Sequence, residues 1–268
     1  MDRRRGLLTQ NDLKQEDITK EYLYVEAIDD LTVSFSINDI EYSFDQTTWH
    51  NLTHDVGTPI IHAGTKCYFR ASGLIPTLND GIGKFTFSGN CNIGGNAMSM
   101  IWGSDFVTNT TMPYDYNLRR MFKDNTTLIN AKDMIVACDN ITVRGCDIMF
   151  KNCTNLVQGC ILPATTLAER AYANMYEGCS NLEIGSDLPA LNVTATYCYN
   201  AMYANCRKLR YLKAMLLNTP NNDNHGGAIT GNWLLNVATS GVFVKNADAK
   251  WDVRGVSGIP AFWTVILV

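Results

Sequence analysis

Four histidines and nine cysteines in 268 residues bound the chemistry open to this chain. His50 and His54 have the i, i+4 spacing that would put two metal ligands on one helical face. They flank a strand-like run and lack the glutamate of a His-Glu-x-x-His motif, so they are expected to be a solvated loop pair. Residues 89–95 are glycine-rich but carry no Lys-Ser/Thr, which a phosphate loop requires. Residues 221–226 crowd short oxygen ligands together, yet the closing acid of an EF-hand is missing, and a polar turn is the expectation. No Cys-x-x-Cys pair exists to hold zinc. No nucleophile, base and orienting acid can be assembled from the scattered histidines. The expectation is therefore no catalytic residue, no metal, no cofactor and no enzyme activity.

The cysteines have a different logic. Cys153, Cys179 and Cys206 each follow an aromatic residue by three positions, within segments that align with one another. The segments read Met121-Phe122…Leu128, Met149-Phe150…Leu156, Met175-Tyr176…Leu182 and Met202-Tyr203…Leu209, with the methionines 28, 26 and 27 residues apart. Asn125 holds the cysteine's place in the first. A period in the twenties predicts a solenoid with one strand and one helix or helical turn per repeat. No single repeat can close a core, so neighbours must stack. The repeat core is expected to be Phe122, Leu128, Phe150, Cys153, Leu156, Tyr176, Cys179, Leu182, Tyr203, Cys206 and Leu209. The thiols are read as small buried groups without disulfides.

Within one repeat, Thr165 or Thr166 is placed to cap a helix. Leu167, Ala171 and Met175 recur at four-residue spacing with Tyr172 and Tyr176 beside them, one apolar stripe. Gly178 stands where a left-handed residue would end that helix. Leu182, Ile184 and Leu188 follow in an extended segment stopped by Pro189.

These pieces resemble the BspA-like leucine-rich repeats. In that family a helix ends in Met-Phe-x-x-Cys, then Ser/Thr/Asn-Leu, then a strand closed by Leu-Pro. The matching stretches are residues 149–156, 162–167 and 175–182. The likeness spans about 100 residues, and residues 256–265 resemble the family's closing Gly-Ile-Pro-x-Gly-Trp-Thr-Val. The first repeat departs from the pattern, as terminal repeats do.

Upstream, residues 22–25, 31–37, 40–44, 66–70 and 84–88 are short strand-like runs separated by turn signals. They predict a small sandwich. Residues 42–49, Tyr-Ser-Phe-Asp-Gln-Thr-Thr-Trp, resemble the Tyr-Ser-x-Asp-Gly-x-x-Trp hairpin of Ig-like modules in gut bacterial surface and phage proteins. The expected class is α+β: an Ig-like β-sandwich, then a short leucine-rich-repeat solenoid with a C-terminal cap. The expected division is an arm at 1–20, the β-domain at 21–105, the repeats at 106–220 and the cap at 221–268. The cap would contain a short helix at 233–237 and hide the last open rung.

Composition narrows the function. A hydrophobic fraction of 46% supports a full core, and a net charge of −4 gives no footprint for nucleic acid. No apolar run is long enough to span a membrane. Arg3, Arg4 and Arg5 precede Leu7 and Leu8 without the apolar stretch of a secretory signal, and the initial methionine argues against a trimmed leader. The chain is thus expected not to be exported, and its six Asn-x-Ser/Thr triplets carry no implication of glycosylation. Arg3, Arg4, Arg5, Leu7 and Leu8 are the expected anchor to a partner. Trp102, Tyr114, Tyr116 and Tyr211 are the candidate ligand contacts, while Tyr197 is expected to pack inside the repeats. The whole resembles structural proteins of tailed, crAss-like phages of gut Bacteroidales. That resemblance implies a virion protein on capsid or tail, a head-fibre, auxiliary or adhesin component made in the host cytoplasm. Its implied partners are other virion proteins (capsid, portal or tail), a second copy of itself and host surface glycans or proteins. The alternative is a bacterial cell-surface leucine-rich-repeat adhesin.

Overall fold

The computed structural model describes residues 18–54, 56–75, 81–218 and 228–268. The first half is built of antiparallel strands. β1 (Leu23–Ala27), β2 (Val33–Phe35), β3 (Ile40–Ser43), β4 (His50–Leu52), β5 (Lys66–Ala71), β6 (Phe85–Phe87) and β7 (Cys91–Asn96) follow in order, then one turn of helix, α1 (Ser99–Trp102). β1, β3, β4, β5 and β7 join β8 (Leu128–Ile135) in a six-stranded sheet of order β4-β3-β5-β1-β7-β8. β2 and β6 pair separately. β5 shows why such a sheet forms: Cys67, Phe69 and Ala71 are buried while Lys66, Tyr68 and Arg70 are only half-covered, the period-two alternation of a one-sided strand. Phe35, Phe69 and Phe85 meet edge to face between the two sheets, with centroids 4.6 and 5.2 Å apart.

The 42–49 hairpin has a turn that its sequence explains. The Asp45 carboxylate accepts from the Thr47 and Thr48 amides at 2.8 and 2.7 Å. Those two bonds hold its pKa well below the ordinary carboxylate range. Gln46, where the similar hairpins carry glycine, is left-handed at φ 62°.

From residue 116 onward the chain winds through stacked rungs, each joined to the next by two ladders. On one side, short parallel contacts link Ile135 to Ile161, Gln158 to Ile184 and Ile184 to Tyr211. They continue into the parallel sheet β11 (Tyr211–Ala214), β12 (Val242–Lys245) and β13 (Thr264–Leu267). Two further short strands, β9 (Asn140–Ile141) and β10 (Thr166–Leu167), also pair in parallel. On the other side the backbone is a ribbon of overlapping turns. Amides alternate between the carbonyl three residues back and a carbonyl of the next rung: Met175 to Tyr172, Tyr176 to Met202, Glu177 to Asn174, Gly178 to Ala204. Every fourth residue is left-handed, as in Arg144, Ile148 and Asn152, then Arg170, Asn174 and Gly178.

This backbone overturns the α+β class. Among the described residues, strand accounts for 28% and helix for 3%. The strand–helix leucine-rich-repeat solenoid expected at 106–220 is not what the chain forms. Residues 169–178 close turns, and so do 229–236, where a helix was expected. The reason is spacing. Helices pack 8–10 Å apart, roughly twice the ~4.8 Å between strands. Turns can stack at the strands' own interval, which lets both sides of a rung bond to the next. The Ig-like sandwich is corrected too. β7 pairs in parallel with β8, so the large sheet crosses the expected boundary at 105 instead of closing into a separate domain. Residues 228–268 likewise continue the stacking, and β13 is an outer strand where a covering cap was expected.

The interval is visible in the core. Phe122, Phe150, Tyr176 and Tyr203 stack nearly parallel, with centroids 5.1, 5.2 and 5.3 Å apart, and Phe85 extends the column at 5.5 Å. All eleven residues expected in the repeat core are fully buried. The aligned cysteines do more than fill space. The thiols of Cys153, Cys179 and Cys206 each donate, at 3.0 Å, to the carbonyl of the preceding rung's aromatic: Phe122, Phe150 and Tyr176. Asn125 does the same with its amide, 2.8 Å from the Phe85 carbonyl oxygen. The position thus selects a short donor, which accounts for asparagine in the cysteine's place. All nine cysteines are free and buried.

Candidate binding groove on the strand side

The strand side of the rungs carries a groove of about 720 Å³ that spans successive segments. Alternation makes it. In β11, Leu212 and Ala214 point into the core, which turns Tyr211 and Lys213 outward, with Met215 beyond them. One rung back, Ile184 and Asp187 are exposed on either side of buried Gly185 and Ser186. Lys132 and Asp133 of β8 line the far end, and Pro163 and Pro189 close their rungs beside it. Lys213 and Asp187 pair across rungs at 3.4 Å, with the lysine half-buried and the aspartate exposed. Such a pair contributes little stability, so both groups remain open to exchange partners with a ligand.

Beneath the groove lies a buried polar cluster. The Tyr176 hydroxyl is 2.8 Å from Ser186 Oγ and accepts from the Cys160 amide at 3.0 Å. The Tyr203 hydroxyl donates to the Ser186 carbonyl at 3.3 Å. Each ring therefore crosses the core from the turn ribbon to the strand side. Burial pushes the Cys160 thiol up to about 12 and the Tyr176 phenol well above its ordinary value. Neither is a nucleophile at neutral pH, and Ser186 has a phenol, not a base, beside it. The cluster stiffens the floor. What the groove offers is an aromatic ring, paired charges and a strip of backbone, which suits an extended polar ligand.

Of the four candidate ligand contacts, Tyr211 alone lines this groove. Trp102 is half-buried and its indole donates to the Thr111 carbonyl at 2.8 Å. Tyr114 is exposed; Tyr116 is half-buried, left-handed and part of the turn ribbon, 6.0 Å from the Arg144 guanidinium. Tyr197, expected to pack inside, is half-buried on the ribbon with Arg170 4.6 Å from its ring. The anchor residues Arg3, Arg4, Arg5, Leu7 and Leu8 lie outside the described residues, as does the 221–226 turn. His50 stands on β4 with its ring 5.4 Å from Tyr42, and the His54 amide donates to the Asn38 side chain. Sequence reasoning missed Lys132, Ile184, Asp187 and Lys213. The alternation Tyr-Leu-Lys-Ala-Met-Leu at 211–216 was the available signal.

The ribbon side has its own charge cluster. Asp147 is buried with Arg119 at 3.3 Å and Arg144 at 3.5 Å. Burial pushes its carboxyl up against the pull of those arginines. Lys151–Glu177 at 2.7 Å, Asn152–Asp124 and Asn236–Asn205 also join successive rungs. These contacts bond the molecule to itself and read as structure. No helix among the described residues is long and apolar enough to cross a membrane. Comparison with known protein families, with characterised proteins and with solved structures found no match.

Proposed function

We propose that this chain is a structural protein of a phage particle, set on capsid or tail, where it holds other virion proteins and contacts host surface glycans. The observation that carries the binding part is the groove, where Tyr211, the Asp187–Lys213 pair and Lys132 stand outward on a stiff stacked floor. A face assembled from several rungs, with its thiols and phenols sealed below, is suited to hold a ligand. The virion part rests on the sequence: the repeat pieces at 149–182, the hairpin at 42–49 and the Arg-rich start together resemble phage structural proteins. A flat ring beside paired charges matches the alternating apolar and hydroxyl faces of a sugar chain.

The test is direct. Purified particles are analysed by mass spectrometry and by gold-labelled antibody in the electron microscope. The expected result is this chain at fixed stoichiometry on the particle surface. Its presence only on the envelope of uninfected cells would replace the proposal with the cell-surface adhesin. A glycan array with the Tyr211→Ala and Asp187→Ala/Lys213→Ala proteins tests the groove separately, and unchanged glycan binding would remove it from the reading.

A further inference from the structure

Among the described residues, the rungs are open at one end only. At their start, β7 is covered on its other side by β1, and the sheet then runs on to β4. β4 is three residues long with His50 and Asn51 exposed, a short polar edge of the kind that resists pairing. At their finish stands β13, an outer strand with the sequence Thr-Val-Ile-Leu and Val268 after it. The Thr264 and Val268 amides bond inward, to Gly241 and Lys245. Strand alternation therefore turns the N–H and C=O of Val265 and Leu267 outward. The side chains of the edge include no proline, no lysine and no other charged group, and those around it are uncovered: Phe262 is 82% exposed and Leu267 57%.

We propose that β13 pairs antiparallel with β13 of a second copy, making a tail-to-tail dimer. The occupant follows from the asymmetry of the two ends. Head-to-tail growth needs two complementary open ends, and the described residues provide one. A two-fold pairing uses the same edge twice and closes on itself. An uncharged strand sets no like charges opposite one another when it meets its own copy, while it offers a charged partner strand nothing to match.

Sedimentation velocity of the full chain across the micromolar range tests this. The expected result is a dimer that dissociates on dilution, with the Val265 and Leu267 amides protected from hydrogen exchange in concentrated samples and exposed in dilute ones. Leu267→Lys and Leu267→Glu should each lose the dimer while keeping the wild-type circular dichroism, and an equimolar mixture of the two should recover it. A wild-type chain that is monomeric throughout overturns the proposal. So does a dimer whose Val265 and Leu267 amides exchange at the same rate at every concentration, a result that needs no variant to fold.

Discussion

The antiparallel sheet and the stacked rungs meet at β7 and β8 and solve one problem in two ways. In the sheet, each strand such as β5 bonds sideways to β1 and β3, and its neighbours come from distant points of the chain. In the ribbon, alternate amides close a turn locally, as Met175 does on Tyr172, and the others reach the next rung, as Tyr176 does on Met202. The sheet tolerates any loop between its strands. The rungs do not, because their rings, thiols and turns must all recur at one interval. Repetition in the sequence is the mark of that constraint, and the sheet region, free of it, shows none.

The largest expected effects come from breaking the recurrence itself. Leu156→Asp or Leu182→Asp puts a charge at a fully buried position shared by adjacent rungs, at a cost of about 4 kcal/mol or more. Loss of the cooperative thermal transition measures it, and a wild-type melting temperature would mean that the rungs do not share a core. The same experiment reads the thiols. Ellman's reagent should find none fast in the native wild-type chain, nine after denaturation without reductant, and several at once in the aspartate variants.

Next in size is Tyr176→Phe, which keeps the ring column but strands the Cys160 amide, costing about 1–3 kcal/mol in chemical denaturation. Tyr172→Phe provides the contrast. The Tyr172 hydroxyl is buried without a hydrogen-bond partner, so removing it should leave stability unchanged or raise it. Equal losses in the two variants would show that the hydroxyl cluster under the groove adds nothing. The smallest change belongs to the sheet. Gln46→Asn keeps the left-handed turn with a residue that tolerates it better, a gain of a few tenths of a kcal/mol, on the order of 0.5. The Gln46 side chain also bonds the Tyr68 hydroxyl, so a loss there would mean that this contact outweighs the relief of the turn.

The sequence made the rungs legible and their backbone illegible, for one reason. Met149, Met175 and Met202 are equivalent, and each carbonyl accepts from the aromatic amide one rung earlier. The stripe Leu167, Ala171 and Met175 marks that equivalence as well. Four-residue spacing of apolar groups, however, is shared by an α-helix and by a ribbon whose left-handed residues recur every fourth position. Arg170 and Asn174 hold those positions here, and neither side chain announces it. Trp233 carries the same ambiguity: its carbonyl accepts from Tyr203, which makes it the next rung's counterpart of Met202. Interruption of the period by a longer connection hid that rung. In the groove, Tyr211 was found as an aromatic. Asp187 and Lys213 were not, because a charge becomes part of a site only when separate rungs bring it to another.

The thiols facing the carbonyls of the preceding rung have a consequence for where the protein can work. Cys153, Cys179 and Cys206 hold their rungs as hydrogen-bond donors and form no covalent bridge. A disulfide framework would tie the fold to the redox poise of its surroundings; these contacts do not. A chain assembled under reducing conditions and then released into oxidising ones keeps the same bonds in the same places. With every thiol buried, it also presents none for exchange with other proteins on the way. The molecule can cross from one chemical environment to another without remodelling.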